Sequence, residues 1–348
     1  MAPPLLACFL TALLIVLLRR PAQRLRLLDH PGGRKRHRES VPVTGGIALA
    51  LGFFLALVTF SGALAEFAVF LALMAVLAVV GVVDDLVEAS PRGKLGVQLL
   101  AAVLMTTWGE HRLVDLGDLF GRGPVRLDGG SIPFTVFATL AVVNGINMLD
   151  GLDGLAGGLV AVMLGYLGVF AFWLGEAEST TVIVTLLGAV GGFLLFNLPH
   201  PWRGARRTFM GDAGSLVLGF AVAWFTIDLT QHREIAVPPV VMLWVVGLVL
   251  FDLFTVTVRR VLRRRSPVAA DRAHIHHLLQ RCGLSGPGTW TLLIAANALL
   301  GAIGAFGWRA GVSEPVLFAA YLALGAAYFA VFVKSGWLIR RCRRAASH

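Results

Sequence analysis

Charge is scarce in this sequence. Only 14% of its 348 residues are charged, against about 25% in an ordinary soluble domain. A disordered chain is excluded, because 57% of the residues are hydrophobic and the mean hydropathy is +0.79. The same figures disfavour a soluble globule. Cysteine is nearly missing. Cys8, Cys282 and Cys342 are scattered without CxxC spacing, so neither a thiolate zinc site nor a disulfide framework is indicated. Segments of roughly ten residues with alternating polarity, the mark of a closed membrane barrel, do not occur. The first apolar run is preceded by no basic stretch, and no small-residue cleavage site stands near Arg19-Arg20. It is expected to be a retained membrane helix, not a signal peptide. No internal repeat and no linker divides the chain, so 1–348 is expected to be a single membrane-embedded domain.

What is present is a succession of long apolar runs. They fall near 4–18, 45–64, 66–83, 95–108, 133–149, 157–174, 180–197, 212–228, 239–257, 289–308 and 315–334. The expected fold class is an all-α polytopic integral membrane protein of roughly eleven transmembrane helices. The polar region 109–132, with Gly121, Gly123, Pro124, Gly129 and Gly130, reads as a loop or small hairpin.

Orientation follows from the basic residues. The loops at 19–38, 92–94, 150–156, 203–207 and 259–281, with the stretch 334–344, fall on one side of that topology. They hold 25 of the 30 Lys and Arg residues. The other side holds Arg112, Arg122, Arg126, Arg233 and Arg309. The positive-inside rule makes the first side cytoplasmic, with the N-terminus outside and the C-terminus inside. The net charge of +10 would raise nucleic acid as a partner for a soluble protein. Here the charge lies in juxtamembrane loops, so membrane lipids and phosphorylated substrates are the expected partners and nucleic acid is not.

The unusual polar residues also gather on the cytoplasmic side. Asp84-Asp85 closes a strongly apolar run. Two adjacent carboxylates beside low dielectric repel one another, and a divalent cation or a shared proton relieves that repulsion. A solvated helix end is the competing reading. Asn144, Asn147, Asp150 and Asp153 follow at intervals of three, among Gly151, Gly154, Gly157 and Gly158. Asx residues beside glycine also make ordinary turns, but four within ten residues at the end of an apolar run is dense. Phe209-Met-Gly211-Asp212-Ala-Gly214-Ser215 opens another run. Asp212 there is either a helix cap or a metal ligand beside small residues that admit a phosphate. Last comes Asp271-Arg272-Ala-His274-Ile-His276-His277, after a run of arginines. His274 and His277 share a face if the segment is helical. Without further His or Cys at metal-ligand spacing, imidazoles beside Arg272 suit phosphate binding or proton transfer better than zinc. The basic, glycine-rich loop 29–46 contacts either phosphates or the membrane surface. Hard oxygen ligands with Arg and His on one membrane side suit Mg²⁺ and a diphosphate.

In this order and on one side, the motifs resemble those of the polyprenyl-phosphate N-acetylhexosamine-1-phosphate transferase family. They are Val83-Asp84-Asp85, Asn144-xx-Asn147-xx-Asp150-Gly-xx-Asp153-Gly, Phe209-Met-Gly-Asp212-Ala-Gly-Ser and His274-Ile-His276-His277. The resemblance spans about residues 25–285. Within the family, His-Ile-His-His is similar to the GlcNAc-1-phosphate branch, whereas the branch that transfers phospho-MurNAc-pentapeptide carries three consecutive histidines. The resemblance implies transfer of GlcNAc-1-phosphate from UDP-GlcNAc to undecaprenyl phosphate, giving GlcNAc-diphospho-undecaprenol and UMP. This is a first lipid-linked step of cell-envelope polysaccharide synthesis at the inner, or plasma, membrane. It implies Mg²⁺, with Mn²⁺ as a substitute, and a homodimer as the assembly.

Carried over residue by residue, Asp212 is the metal ligand with Asn147 beside it. Asp84 is the base or orienting group for the lipid phosphate, and Asp85 supports it or the metal. Asp150, Asp153 and Asn144 contact the donor or shape its site, while Arg272, His274, His276 and His277 hold the diphosphate, Asp153 and His276 being counted among the catalytic residues. Direct displacement is the expected mechanism, and a phospho-aspartyl intermediate is the alternative. UDP-GalNAc or UDP-MurNAc-pentapeptide would be other donors for the same chemistry. Readings from another class, an ion-coupled transporter or a lipid-binding scaffold, predict polar groups near the bilayer midplane and internal repeats, or no clustered acids at all.

Overall fold

A computed structural model describes residues 2–25, 27–29, 40–59, 62–87, 90–199, 206–231, 236–266 and 274–333. The chain is a helical bundle. In chain order the helices are α1 (Pro3–Arg24), α2 (Gly45–Val58), α3 (Gly62–Glu66), α4 (Ala68–Val87), α5 (Pro91–Thr107), α6 (Ser131–Leu149) and α7 (Leu155–Trp173). There follow α8 (Ala177–Asn197), α9 (Gly211–Asp228), α10 (Pro239–Val245), α11 (Gly247–Leu262), α12 (Ile275–Arg281), α13 (Gly286–Arg309) and α14 (Glu314–Phe332). Two short strands, β1 (Leu28–Asp29) and β2 (Val41–Pro42), pair antiparallel. The region expected to be a loop or hairpin closes on an antiparallel bridge between Asp115 and Arg126.

Every expected apolar run contains a helix. Among the described residues, seven helices can cross a membrane by length and composition, or eight with the bent pair α10–α11 counted as one. The chain is a multi-pass membrane protein. The shortfall from eleven has local causes. α2 stops at Val58, with the separate short α3 beyond it, α5 has only 17 residues, and α9 has 18 with Asp212 and Asp228 near its two ends, where a straight crossing needs about 20 apolar residues. The run 239–257, expected as one span, is broken into α10 and α11 at an angle of 75°. The β-branched pair Val245-Val246 followed by Gly247 weakens the helix there, and Val246 leaves helical geometry at φ −95°, ψ 8°.

α9 sits at the centre. Its residues are buried continuously from Ala213 to Asp228, as expected of a helix apolar on all sides. It packs against α4, α6 and α2. The contact with α4 is so close that a Cβ on Gly81 would overlap the backbone of Ala213 and lie 2.7 Å from the carbonyl carbon of Asp212. Small residues at such crossings let helices approach in a membrane. Gly81→Ala is therefore expected to lower stability by about 1–3 kcal/mol, measured as the thermal unfolding midpoint in detergent. An unchanged midpoint would mean that α4 and α9 part more easily than this packing implies.

Candidate active site

The C-terminal ends of α4, α6 and α8 meet the N-terminal ends of α5, α9 and α13 at one pole of the bundle. Among the described residues that pole holds a cavity of about 1270 Å³. Its wall includes Asp84, Asp85, Asn147, Asp150, Asp153, Asp212 and His277. Seven of the eleven residues singled out from the sequence thus line one space, drawn from segments far apart in the chain.

The central feature is a cation between two carboxylates. Lys94, in the first turn of α5, donates to Asp84 Oδ2 at 2.8 Å and to Asp212 Oδ2 at 2.6 Å. Asp212 Oδ1 accepts from Asn147 Nδ2 at 2.9 Å, and the same amide reaches Ser215 Oγ at 2.8 Å. Asp84 Oδ1 is buried without a hydrogen-bond partner. Asp85 has a different task. It accepts from the backbone N–H groups of Asp212 at 2.9 Å and Ala213 at 3.3 Å, capping the first turn of α9 where helix dipole and carboxylate suit each other. Gly211 makes this possible, because its φ of +68° is open to glycine and the Asp85 carboxylate occupies the space a Cβ would need. The segment ahead of it is held by backbone bonds from Gly45 to Phe209 and from Gly46 to Met210, both 2.9 Å.

α6 ends at Leu149. Asp150 and Asp153 therefore lie in the turn before α7. Gly154, at the close of this turn, donates to Asn197 Oδ1 at 2.5 Å, and its carbonyl accepts from Trp290 Nε1 at 2.9 Å. Asp153 receives Arg207 Nη2 at 2.7 Å, and that guanidinium lies over the Phe209 ring. Burial, with Asp212, Asp85 and Asp153 nearby, pushes the Asp150 carboxyl up to about 7.

The remaining sequence candidates lie elsewhere. Asn144 turns to α5, donating to Gln98 Oε1 at 2.6 Å. His274 sits just before α12 in extended geometry, so it does not share a helical face with His277. Its ring bonds Asp252 instead. His276 is 1% exposed, with neither ring nitrogen hydrogen-bonded, and its Nε2 abuts Gly151 behind the cavity wall. Burial, together with His277 and His274, holds that imidazole far below its usual range, so it stays neutral. His277, Gln280 and Arg281 of α12 face the cavity. Arg272 and residues 30–39 of the basic loop lie outside the described residues. Lys94 and Arg207 were missed by the sequence reading. Lys94 had a signal, since only Lys35, Lys94 and Lys334 among the 30 basic residues are lysine. Arg207 had none beyond belonging to a basic loop.

The residues present fit a hard divalent cation. No three of His, Cys, Asp and Glu form a closed cage among the described residues. Mg²⁺ does not need one, since it is commonly held by one or two carboxylates, waters and substrate phosphates. Asp212, the unpartnered Asp84 Oδ1, and Asn147, whose amide can be turned to present oxygen, supply that donor set. A wall with six aspartates also calls for positive charge before it can receive phosphates.

Comparison with known proteins identifies the family. Residues 67–230 match the family described as glycosyl transferase family 4. A Yersinia pestis protein is 32% identical over 324 residues, which are 93% of this chain and 88% of that protein. One from Escherichia coli (strain K12) is 31% identical over 339 residues, covering 97% and 92% of the two chains. One from Haemophilus influenzae is 33% identical over 337 residues, covering 96% and 94%. All three are named undecaprenyl-phosphate alpha-N-acetylglucosaminyl 1-phosphate transferase. The likeness runs through nearly the whole of each chain and embraces every wall of the cavity, so this membrane protein is an enzyme belonging to glycosyl transferase family 4.

Proposed function

We propose that this enzyme transfers GlcNAc-1-phosphate from UDP-GlcNAc to undecaprenyl phosphate, releasing UMP, with Mg²⁺ bound at Asp212 and its neighbours. The observation that carries the reading is the convergence of Asp84 and Asp212 on one ammonium group, with Asn147 donating to the far oxygen of Asp212, at the edge of a large, acid-lined cavity. Its volume exceeds the upper end of about 1,000 Å³ for a single small-molecule site, which suits two substrates held together. The relatives' names supply the acceptor and the transferred group. The bias of basic residues supports a cytoplasmic location for this pole, in an inner or plasma membrane.

The reaction is an in-line displacement. An oxygen of the lipid phosphate forms a bond to the β-phosphorus of the donor, the bond from that phosphorus to the bridging oxygen breaks, and UMP departs with the electron pair. Bound Mg²⁺ would neutralise charge on the phosphate oxygens. The chain's own residues do the rest. Asp84 orients the lipid phosphate, which is already mostly a dianion at pH 7 because its second pKa is near 6. Lys94 balances the Asp84 and Asp212 carboxylates and keeps positive charge beside the reacting phosphates. Asp85 holds Asp212 in register through the α9 backbone. Arg207, His277 and Arg281 face the donor's diphosphate, where planar guanidinium donors match phosphate oxygens.

The test is UMP release by the full-length chain in detergent with Mg²⁺ and undecaprenyl phosphate. UDP-GlcNAc, UDP-GalNAc and UDP-MurNAc-pentapeptide are assayed in parallel. Release with UDP-GlcNAc alone, dependent on acceptor and abolished by EDTA, is expected. Release with only the pentapeptide donor would overturn the specificity, and no release with any donor would overturn the reaction. A labelled sugar phosphate trapped on the protein without acceptor would replace direct displacement by a covalent route.

A further inference from the structure

Asp252 lies within α11 and is 2% exposed. A carboxylate inside a membrane protein is costly unless it is fully engaged, and this one is. Its Oδ2 accepts from His274 Nδ1 at 2.7 Å. Its Oδ1 accepts from the backbone N–H of Ile275 at 2.8 Å and from the Tyr328 hydroxyl of α14 at 3.1 Å. On the other side of the imidazole, Arg260 Nη2 stands 3.4 Å from His274 Nε2. An arginine can only donate, so Nε2 is the acceptor and Nδ1 carries the proton given to Asp252. Both ring nitrogens of His274 are thus committed away from the cavity.

Asp252 therefore grips two successive residues, His274 and Ile275, where α12 begins. α12 has only seven residues, about two turns, too few to be stable alone. Yet it carries His277, Gln280 and Arg281 to the cavity wall. We propose that Asp252 is a positioning residue for the transfer reaction: it clamps the start of α12 and, through Tyr328, ties α14 to the wall that receives the donor diphosphate. This rests on the transfer reaction proposed above. Asp252 touches no substrate and acts only through α12. The acceptor phosphate, placed beside Asp84 on α4, is outside its reach.

Three variants of the full-length enzyme test this by UMP release, with donor and acceptor varied separately. Asp252→Asn keeps the shape and loses the charge. Its kcat/KM for UDP-GlcNAc is expected to fall by about 30-fold, the scale of a lost hydrogen bond to a charged group. The loss is expected in donor KM, with acceptor KM unchanged. Tyr328→Phe removes one donor of three and is expected to move donor KM the same way by about fivefold, the scale of one long hydrogen bond lost while two remain. If Asp252→Asn does not fold, this second variant decides alone. In a His277→Ala background, Asp252→Asn is expected to cost less than in wild type, because both act through one helix. A merely structural Asp252 would lower the amount of active enzyme and leave both KM values alone, and that result overturns the proposal, as does full additivity with His277→Ala. An active wild type with an unaltered Asp252→Asn variant overturns this role only. A wild type that releases no UMP overturns the transfer reading and this role with it.

Discussion

Asp212→Asn is expected to lower UMP release on the order of a hundredfold to a thousandfold, the range seen when one preorganised electrostatic group is removed from a reaction centre. The change is isosteric, so packing of α9 is preserved and Asp85 still caps its first turn. What changes is charge and donor geometry. Asp212 accepts from Lys94 on one oxygen and from Asn147 on the other. An asparagine must turn its NH₂ toward one of these donors, and it offers a cation one neutral oxygen in place of a carboxylate. Mg²⁺ stabilisation of the fold, read as a thermal shift, is expected to shrink in parallel with activity. An Asp212→Asn enzyme with wild-type turnover at low Mg²⁺ would remove Asp212 from the metal site.

The legible part of the fold was the part set by solvent. Long apolar runs announce membrane helices whatever they pack against, so every run contained a helix. The break at Val246 was hidden because both halves of 239–257 are apolar. It depends on backbone geometry and on how α10 and α11 pack against α13 and α14, which hydropathy does not record. The end of α2 at Val58 was obscured in the same way, since the apolar run continues beyond the helix.

In the site, carboxylates were legible because they are expensive at the end of a membrane helix and demand a reason. Pairings across the chain were not. Lys94 meets Asp212 across 118 positions, and Arg207 meets Asp153 across 54. Nothing local marks either contact. The three histidines show the opposite limit. They look like one cluster, but α12 starts at Ile275. One turn of difference sends His274 to Asp252, His276 behind Gly151 and His277 to the cavity. A helix start displaced by a residue or two redistributes every side chain near it, and spacing alone could not fix that start.

Lys94 carries the remaining large prediction, because its removal affects two properties in opposite directions. In Lys94→Met the carboxylates of Asp84 and Asp212 face each other without their shared counter-ion. Two unit charges on the order of 5 Å apart repel by about 3 kcal/mol at an effective dielectric of roughly 20. Part-buried ion pairs fall between surface and buried cases, so a stability loss of about 2 kcal/mol is expected in the absence of divalent cation. Added Mg²⁺ should then stabilise the variant more than wild type, since no ammonium competes for the same oxygens. Turnover should nevertheless fall by about a hundredfold or more, on the scale of a lost electrostatic group, because the positive charge that Lys94 holds beside both phosphate-facing carboxylates is gone. Thermal unfolding with and without Mg²⁺, set beside UMP release, separates the two effects. A variant that keeps wild-type turnover would reduce Lys94 to a resting-state counter-ion. A variant whose Mg²⁺ response matches wild type would show that the cation does not bind between Asp84 and Asp212.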